Sequence, residues 1–246
     1  MMCKLCTWDI LERGKDMLYS ILYSGGDINF LEIVMGILAT LVTIAVILPF
    51  HELAHGFVAY KLGDNTAKRQ GRLTFDPIAH IDPKGALCLL LVGFGWAKPV
   101  PVNMYNLKKP KRDMALVALA GPMANLIAAL VGALLGNLVA VLFAQKFYDA
   151  FLYQAVMFFF EYYVSVNVGL AAFNLIPLPP LDGSKILGAL LPDDLYEKQL
   201  MYEDRLAILL VVLVMAGVVD KLMSVPHSLL LNLVYTLAYL PFKPFL

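Results

Sequence analysis

The 246-residue chain is 60% apolar and 15% charged, and its mean hydropathy is +0.73. Soluble globular domains are usually about 45–50% apolar and about 25% charged, so the composition excludes that class, as well as disordered, collagen-like and coiled-coil chains. The formal net charge is zero, which gives no overall basic field for nucleic acid, and 3 cysteines cannot form a disulfide framework. The sequence therefore predicts an integral membrane protein.

Residues 1–30 contain no long apolar run, because acidic and basic side chains interrupt them throughout. Five apolar residues have the spacing of a short amphipathic helix, namely Ile10, Met17, Leu18, Ile21 and Leu22. Such a helix would lie in the membrane interface. We expect residues 1–30 to form an N-terminal interfacial segment and no cleavable signal peptide.

Apolar runs along the rest of the chain predict a bundle of membrane-spanning helices. A helix needs about 20 apolar residues to cross a bilayer core of about 30 Å. The predicted spans are residues 31–50, 113–143, 151–176, 206–219 and 228–240. The stretch 85–96 is apolar but short and glycine-rich, which favours a re-entrant or β element that lines a cavity. We predict an all-α integral membrane protein, a polytopic bundle of about five to six transmembrane helices with this short membrane-embedded element.

Basic residues are concentrated between the first two predicted spans. Ten of them lie from Lys61 to Arg112, whereas the next loop, residues 144–150, contains only Lys146. The positive-inside rule places the region from Lys61 to Arg112 in the cytoplasm and the N-terminus outside. We expect a multi-pass protein of the cell membrane.

His51, Glu52 and His55 form an HExxH pattern at the end of the first predicted span. Residues four apart share one face of a helix, so both imidazoles can bind the same metal ion, and such ligands suit zinc. Glu52 lies beside them, where it can hold and deprotonate a water molecule. The alternative, two histidines satisfied within the core, is disfavoured because three ionisable groups at membrane depth are costly unless a metal ion or a partner neutralises them. We expect one Zn²⁺ per chain.

A catalytic zinc takes three protein ligands and leaves one position open, so a third ligand is needed. His80 lies in a polar loop, His227 lies at the end of a span, and Asp182 follows the third span in a proline-rich stretch. Prolines interrupt that helix and Gly183 permits a tight turn, so the chain there can turn towards a site inside the bundle. From spacing alone, Asp182 can equally be a zinc ligand or the N-cap of a helix over 184–191.

Four motifs follow one another along the chain. They are His51-Glu52-Leu53-Ala54-His55, Phe94-Gly95-Trp96-Ala97-Lys98-Pro99-Val100-Pro101-Val102-Asn103, Gly121-Pro122-Met123-Ala124-Asn125 and Pro179-Pro180-Leu181-Asp182-Gly183. Together they resemble the site-2 proteases, intramembrane zinc metalloproteases, in the short form without PDZ or CBS domains. The resemblance extends from about residue 33 to residue 240.

The resemblance implies roles for individual residues. The implied zinc ligands are His51, His55 and Asp182. Glu52 is the implied general base, and Asn174 is implied to bind the substrate backbone or stabilise the oxyanion, although an interhelical polar contact is the alternative for Asn174. Asn125 is a weaker candidate for the same work. Gly121 and Pro122 are more typical of close helix approach and of a kink.

The resemblance also implies the organisation and the activity of the chain. Residues 31–246 would form a single transmembrane metalloprotease domain, with a core over 31–191 and extra C-terminal helices over 205–241. The stretch 85–96 and the strand after it would pair with an unwound substrate strand. The implied function is a zinc-dependent endopeptidase that hydrolyses peptide bonds within or near transmembrane segments of membrane proteins, in the lipid bilayer and near the cytoplasmic side, with no nucleic acid partner.

Two other functions remain open from the sequence. A zinc-dependent membrane transporter could use the same ligands, but it needs further polar residues along a path, and beyond the motifs only Glu161 and Asn167 stand out. A catalytically silent zinc-binding relative is the other alternative, and the intact Glu52 argues against it.

Overall fold

The structure, a computed structural model, describes residues 30–85, 87, 97–147 and 150–243. The helices of this part are α1 (Phe30–Val42), α2 (Leu48–Lys61), α3 (Thr66–Arg69), α4 (Pro77–His80), α5 (Pro110–Phe147), α6 (Phe151–Asn174), α7 (Asp182–Gly188), α8 (Asp193–Met201), α9 (Glu203–Met215) and α10 (Val218–Tyr239). A π-helical segment, Thr43–Ile47, joins α1 to α2. Within the described ranges, β structure is limited to one isolated bridge. The predicted all-α membrane fold is confirmed.

Four helical stretches in the described part are long and apolar enough to cross a membrane. They are Val34–Lys61, Pro110–Phe143, Phe151–Asn174 and Val218–Phe242. The second and third match predicted spans closely, and the first overlaps the span predicted over 31–50 but continues eleven residues further, past His51 and His55. The apolar run over 206–240 is divided differently from the prediction, because Gly217 adopts the left-handed conformation, with φ of 68°, and separates α9 from α10. The 13 residues of α9 fall short of a bilayer crossing, whereas α10 begins ten residues before the predicted fifth span.

Two predicted elements lie outside the described residues. These are the interfacial segment over 1–30 and, apart from Gly85 and Leu87, the stretch 85–96. On either side of that stretch, Ile81 and Ala97 form the antiparallel bridge, and the backbone N–H of Lys98 donates to the carbonyl of His80 at 2.8 Å. The residues on either side of this stretch, Ile81 and Ala97, are therefore next to each other. The division into residues 1–30 and 31–246 stays a prediction.

Helix α5 lies at the centre of the bundle and packs against α2, α6, α7 and α10. Small residues line its contact with α6. A Cβ built on Gly132 would lie 2.6 Å from Cδ1 of Tyr163, and one built on Gly136 would lie 3.3 Å from Cβ of Phe160. Between helices in lipid, such small residues let the backbones approach and gain van der Waals contact. This close packing holds α2 and α6, which flank the site, against one helix.

The π-helical segment divides the first span between two partners. Before it, α1 packs against α6, and after it, α2 packs against α5. A π segment inserts extra backbone into a turn and is frequent near functional sites. It precedes His51 by only a few residues and so determines which face of α2 the two histidines occupy.

We expect Gly132→Leu to lower the melting temperature of the purified protein, because the side chain would force α5 away from Tyr163, and overpacking costs about 1–3 kcal/mol. The matched control is Val131→Leu, since Val131 is 49% exposed on the outer face of the same helix. Thermal unfolding in detergent measures both variants. Equal melting temperatures would contradict the tight α5–α6 contact.

Candidate metal centre

Helix α2 presents His51 and His55 on one buried face, and their Nε2 atoms lie 3.0 Å apart. The Nδ1 atoms point the other way: Nδ1 of His51 is 2.9 Å from Oδ1 of Asn125, and Nδ1 of His55 is 2.7 Å from the carbonyl of Val117. A carbonyl oxygen only accepts, so Nδ1 of His55 carries the proton, and the Nε2 lone pair is available whenever the ring is neutral. Both rings are therefore oriented as metal ligands are, with Nδ1 anchored and Nε2 free to bind.

Asp182 is the first residue of α7 and faces the two histidines. Its Oδ2 lies 3.4 Å from Nε2 of His51 and 3.2 Å from Nε2 of His55. Leu181 is the N-cap residue of α7, and no side chain caps the helix. The capping role that spacing allowed for Asp182 is therefore not the one that the fold adopts. The carboxylate is turned into the site instead.

Gly183 allows α7 to reach this position. A Cβ on Gly183 would lie 2.3 Å from the carbonyl oxygen of Leu175 and 2.4 Å from that of Ile176. Any larger residue would separate α7 from the turn that follows α6. Because Gly183 has no side chain, α7 can approach the turn after α6 closely enough for Asp182 to face α2.

The donor set fits a zinc ion. One atom from each of His51, His55 and Asp182 can be chosen so that all lie within 4.8 Å of one another. Zinc–ligand bonds of about 2.0–2.1 Å at tetrahedral angles put ligand atoms about 3.3 Å apart, which matches the three distances above. Two imidazole nitrogens with one carboxylate oxygen form a typical catalytic zinc set that leaves a fourth position open.

Gly121 of α5 keeps the space in front of the ligands open. A Cβ at this position would lie 2.4 Å from Nε2 of His55 and 2.5 Å from Nε2 of His51. Gly121 and Asn125 are four residues apart and therefore lie on one face of α5. Gly121 faces the two Nε2 atoms, and Asn125 contacts Nδ1 of His51. The predicted close helix approach at Gly121 therefore occurs at the candidate metal centre itself.

The charge of Asp182 suits a cation. Burial by itself raises the pKa of this carboxyl, but its contacts with His51 and His55 outweigh burial and hold the pKa well below its usual range. The carboxylate is therefore ionised at neutral pH and offers a negative charge to the centre of the site.

His51, His55 and Asp182 line a cavity with a volume of about 310 Å³, and Glu52 lines it as well. Its Oε2 accepts a hydrogen bond of 2.7 Å from the backbone N–H of Val100. Asn174, the last residue of α6, also lines the cavity, and its Nδ2 donates to the carbonyl of Leu170 at 2.9 Å. Lys185, one turn beyond Asp182, adds a cationic side chain to the lining.

The other histidines are engaged elsewhere. Nε2 of His80 is 2.8 Å from the carbonyl of Thr74, and Nε2 of His227 is 3.3 Å from the carbonyl of Ser165. Neither lines the cavity. Sequence reasoning did not identify Val117, because it acts through a backbone atom and leaves no signal in residue type. Val100 stood in the second motif, but its contact with Glu52 was not predicted. Asn125 did stand out in the sequence as part of a motif, but the prediction for it was contact with the substrate or the oxyanion, whereas in the structure it contacts His51.

Comparisons with known proteins identify a family. The sequence profile described as Peptidase family M50 matches residues 136–217, which include Asn174 and Asp182. Three relatives carry names of the form "Putative zinc metalloprotease". YwhC of Bacillus subtilis (strain 168) is 43% identical over 162 residues, which are 66% of this chain and 73% of that protein.

The other two relatives are more distant. Rip2 of Mycolicibacterium smegmatis (strain ATCC 700084 / mc(2)155) is 30% identical over 150 residues, 58% of this chain and 52% of that protein. MJ0611 of Methanocaldococcus jannaschii is 29% identical over 148 residues, 56% of this chain and 63% of that protein. No solved structure gives a significant match. The ligand geometry and the extent of the YwhC match lead to one conclusion: the chain belongs to peptidase family M50, the site-2 proteases, and is a zinc metalloprotease of the membrane.

Proposed function

We propose that this chain is an intramembrane endopeptidase that hydrolyses peptide bonds within or near the transmembrane segments of other membrane proteins. The observation that carries the proposal is the depth of the candidate centre. His51 and His55 belong to the span Val34–Lys61, and the six residues that follow His55 up to Lys61 correspond to about 9 Å of helix. Ligands at this depth favour a substrate that also lies in the bilayer.

In this proposal His51, His55 and Asp182 hold one zinc ion, which supplies Lewis-acid polarisation of the scissile carbonyl and a more acidic water. Glu52 accepts a proton from the attacking water while the oxygen of that water bonds to the carbonyl carbon. Glu52 then returns that proton to the nitrogen as the C–N bond breaks, which leaves a new carboxylic acid and a new amine. Asn174 donates a hydrogen bond to the substrate backbone or to the developing oxyanion.

The substrate has to be locally unwound before it can be cleaved. A helix hides its carbonyls in internal hydrogen bonds, and a cavity of about 310 Å³ admits a short extended stretch rather than a helix about 10–12 Å wide. We infer that the site recognises a helix end or a weakly helical stretch of a membrane-spanning substrate.

We also propose a location in the cell membrane with the candidate centre near the cytoplasmic side. Lys61 ends α2 just beyond the histidines, and ten basic residues lie between Lys61 and Arg112. The positive-inside rule favours the cytoplasm for this region. Residues 31–246 would then form one protease domain, with residues 1–30 as a separate interfacial segment.

Glu52→Gln is expected to lower the cleavage rate of a transmembrane peptide by about 10²–10⁴-fold, because general base catalysis contributes that much. Zinc content should be unchanged, and a chelator should abolish wild-type cleavage. The measurement is peptide cleavage by the purified protein in detergent, alongside its zinc content. Cleavage that survives both treatments would refute the protease proposal, and zinc flux across vesicles without cleavage would favour a transporter.

Gly121→Ala is expected to lose zinc, because the added Cβ would lie 2.4 Å and 2.5 Å from the two Nε2 atoms, closer than van der Waals contact allows. Gly136→Ala is the control on the same helix, since its Cβ would only approach a phenylalanine side chain at 3.3 Å. Elemental analysis of the purified variants measures the metal. Stoichiometric zinc in Gly121→Ala would place the ion elsewhere.

Asn174→Ala is expected to lower kcat by about 10²–10³-fold while zinc stays bound, since an oxyanion donor is worth that much. Asn137→Ala is the matched control, because Nδ2 of Asn137 also donates to a backbone carbonyl at 2.9 Å, far from the cavity. Steady-state kinetics with the same peptide measures both variants. A full rate in Asn174→Ala would leave Asn174 with only its contact to Leu170.

A further inference from the structure

A segment without regular secondary structure, residues 98–103, lies against Glu52. Within its Pro99-Val100-Pro101 part, the only backbone N–H is that of Val100, because proline has none. That N–H is the one that donates to Oε2 of Glu52 at 2.7 Å. The prolines also fix their own φ angles, so this part of the segment is stiff. A rigid piece of backbone therefore holds one oxygen of the Glu52 carboxylate.

The side chain of Val100 occupies a notch on α2. Val100 is buried, and a Cβ on Gly56 would lie 3.0 Å from its Cγ1. Gly56 follows Glu52 by four residues, so the notch and the carboxylate share one face of the helix. Val100 thus contacts α2 at two points, through its N–H and through its side chain.

Two charged residues outside the cavity tether the 98–103 segment at its ends. Nη2 of Arg72 donates to the carbonyl of Lys98 at 2.8 Å and to that of Pro99 at 3.2 Å. At the other end, Oδ2 of Asp64 accepts from the N–H of Asn103 at 2.7 Å. Asp64 and Arg72 are absent from the cavity lining.

Several hydrogen bonds hold the Asp64 carboxylate in place. It is fully buried, and its Oδ1 accepts from the N–H of Thr66 at 3.0 Å and from Nδ2 of Asn106 at 2.8 Å. Hydrogen bonds from Asn106, Thr66 and Asn103 outweigh the effect of burial and lower the pKa of its carboxyl. Asp64 therefore remains an anion that binds the end of α2 to the end of the segment.

We propose that Asp64 and Arg72 are positioning residues that hold the 98–103 segment in place, so that the N–H of Val100 fixes the Glu52 carboxylate for proton transfer. The inference rests on the proposed function, in which Glu52 is the general base. A carboxylate without this bond samples other rotamers, and a misplacement of about 1 Å costs about 10²-fold in rate. The two histidine ligands have partners of their own on α5, and the 98–103 segment takes no part in those hydrogen bonds, so we expect metal binding not to depend on the tether.

The central test is Arg72→Gln, with Arg69→Gln as a control that removes the same charge from an exposed neighbour. We expect Arg72→Gln to lower kcat about 10- to 100-fold, with zinc content unchanged and KM changed much less than kcat. Arg72→Lys keeps a donor for the two carbonyls and should recover most of the rate. Arg69→Gln should behave as wild type.

Hydrogen exchange gives a readout that does not depend on activity. Residues 98–102 carry only the amides of Lys98, Val100 and Val102, and the Lys98 amide donates to the carbonyl of His80. The Val100 amide should exchange slowly in wild type and faster in Arg72→Gln. Glu52→Ala should release the same amide from the other side of the bond.

Two further variants loosen the segment independently of Arg72. Asp64→Asn keeps the size of the side chain but replaces Oδ2 by a donor, which cannot accept from Asn103. Gly56→Ala pushes Val100 out of its notch by a few tenths of an ångström. Both should lower kcat with zinc retained, and both should speed exchange of the Val100 amide.

Failure of the inference and failure of the proposed function are distinguishable in these experiments. If wild type does not cleave, or if Glu52→Gln cleaves at the full rate, the proposed function fails. If wild type cleaves and Glu52→Gln does not, while Arg72→Gln keeps the full rate or unchanged Val100 exchange, only the tether is refuted. Loss of zinc in a folded Arg72→Gln would also refute it, because the segment would then support the metal site instead of Glu52.

Discussion

The approach of one aspartate oxygen to two histidine nitrogens is the contact on which the rest of this structure depends. Oδ2 of Asp182 lies 3.4 Å and 3.2 Å from Nε2 of His51 and of His55, on an element more than 120 residues further along the chain. Helices α5 and α6 and the turn before α7 have to be in place before these atoms can meet. The glycines at 121 and 183 remove the side chains that would keep them apart. The fold can therefore be understood as the means of closing this one contact.

Placing such groups at membrane depth has an energetic cost that the surrounding residues offset. Polar atoms in a bilayer are tolerated when each has a partner, and here the Nδ1 atoms of both histidines have one on α5. Those partners are a carbonyl in the backbone and the amide of Asn125, neither of which introduces another charge. Only the atoms that face the cavity are left for chemistry. Orientation of the ligands is thus settled by α5, a helix that contributes no ligand of its own.

The sequence predicts the metal chemistry better than it predicts the surroundings. The spacing of His51 and His55 requires them to share a helix face, so their pairing follows from local geometry alone. Asp182 could not be assigned from spacing, because the residue types that cap helices also bind metals, and only the tertiary fold turns its side chain away from the helix end. Val117 acts through its backbone, so no residue pattern could indicate it, and the motif around Val100 did not show which group its N–H would bind. Their contacts depend on how distant segments meet.

The spans show the same division between local and tertiary information. Runs of apolar residues located the second and third crossings closely and the start of the first, since bilayer thickness sets a minimum length that the sequence displays directly. The apolar run over 206–240 was divided at the wrong place because composition does not show where the backbone reverses. Gly217 does so by adopting a positive φ, and the result is a short helix followed by a complete crossing. A glycine in an apolar run is a weak signal until its conformation is known.

The π-helical segment Thr43–Ile47 divides the first crossing into a part that packs against α6 and a part that carries the two histidines. The π turn takes up one residue more than an α turn, so the residues after it face about 100° away from where an unbroken α-helix would place them. Accordingly, α1 packs against α6 and α2 packs against α5. If the same residues continued as a regular α-helix, His51 and His55 would instead be turned by about 100° away from Asp182 while every side chain of the site remained in the sequence. The metal site therefore depends on the backbone geometry of this one turn as well as on the spacing of its histidines.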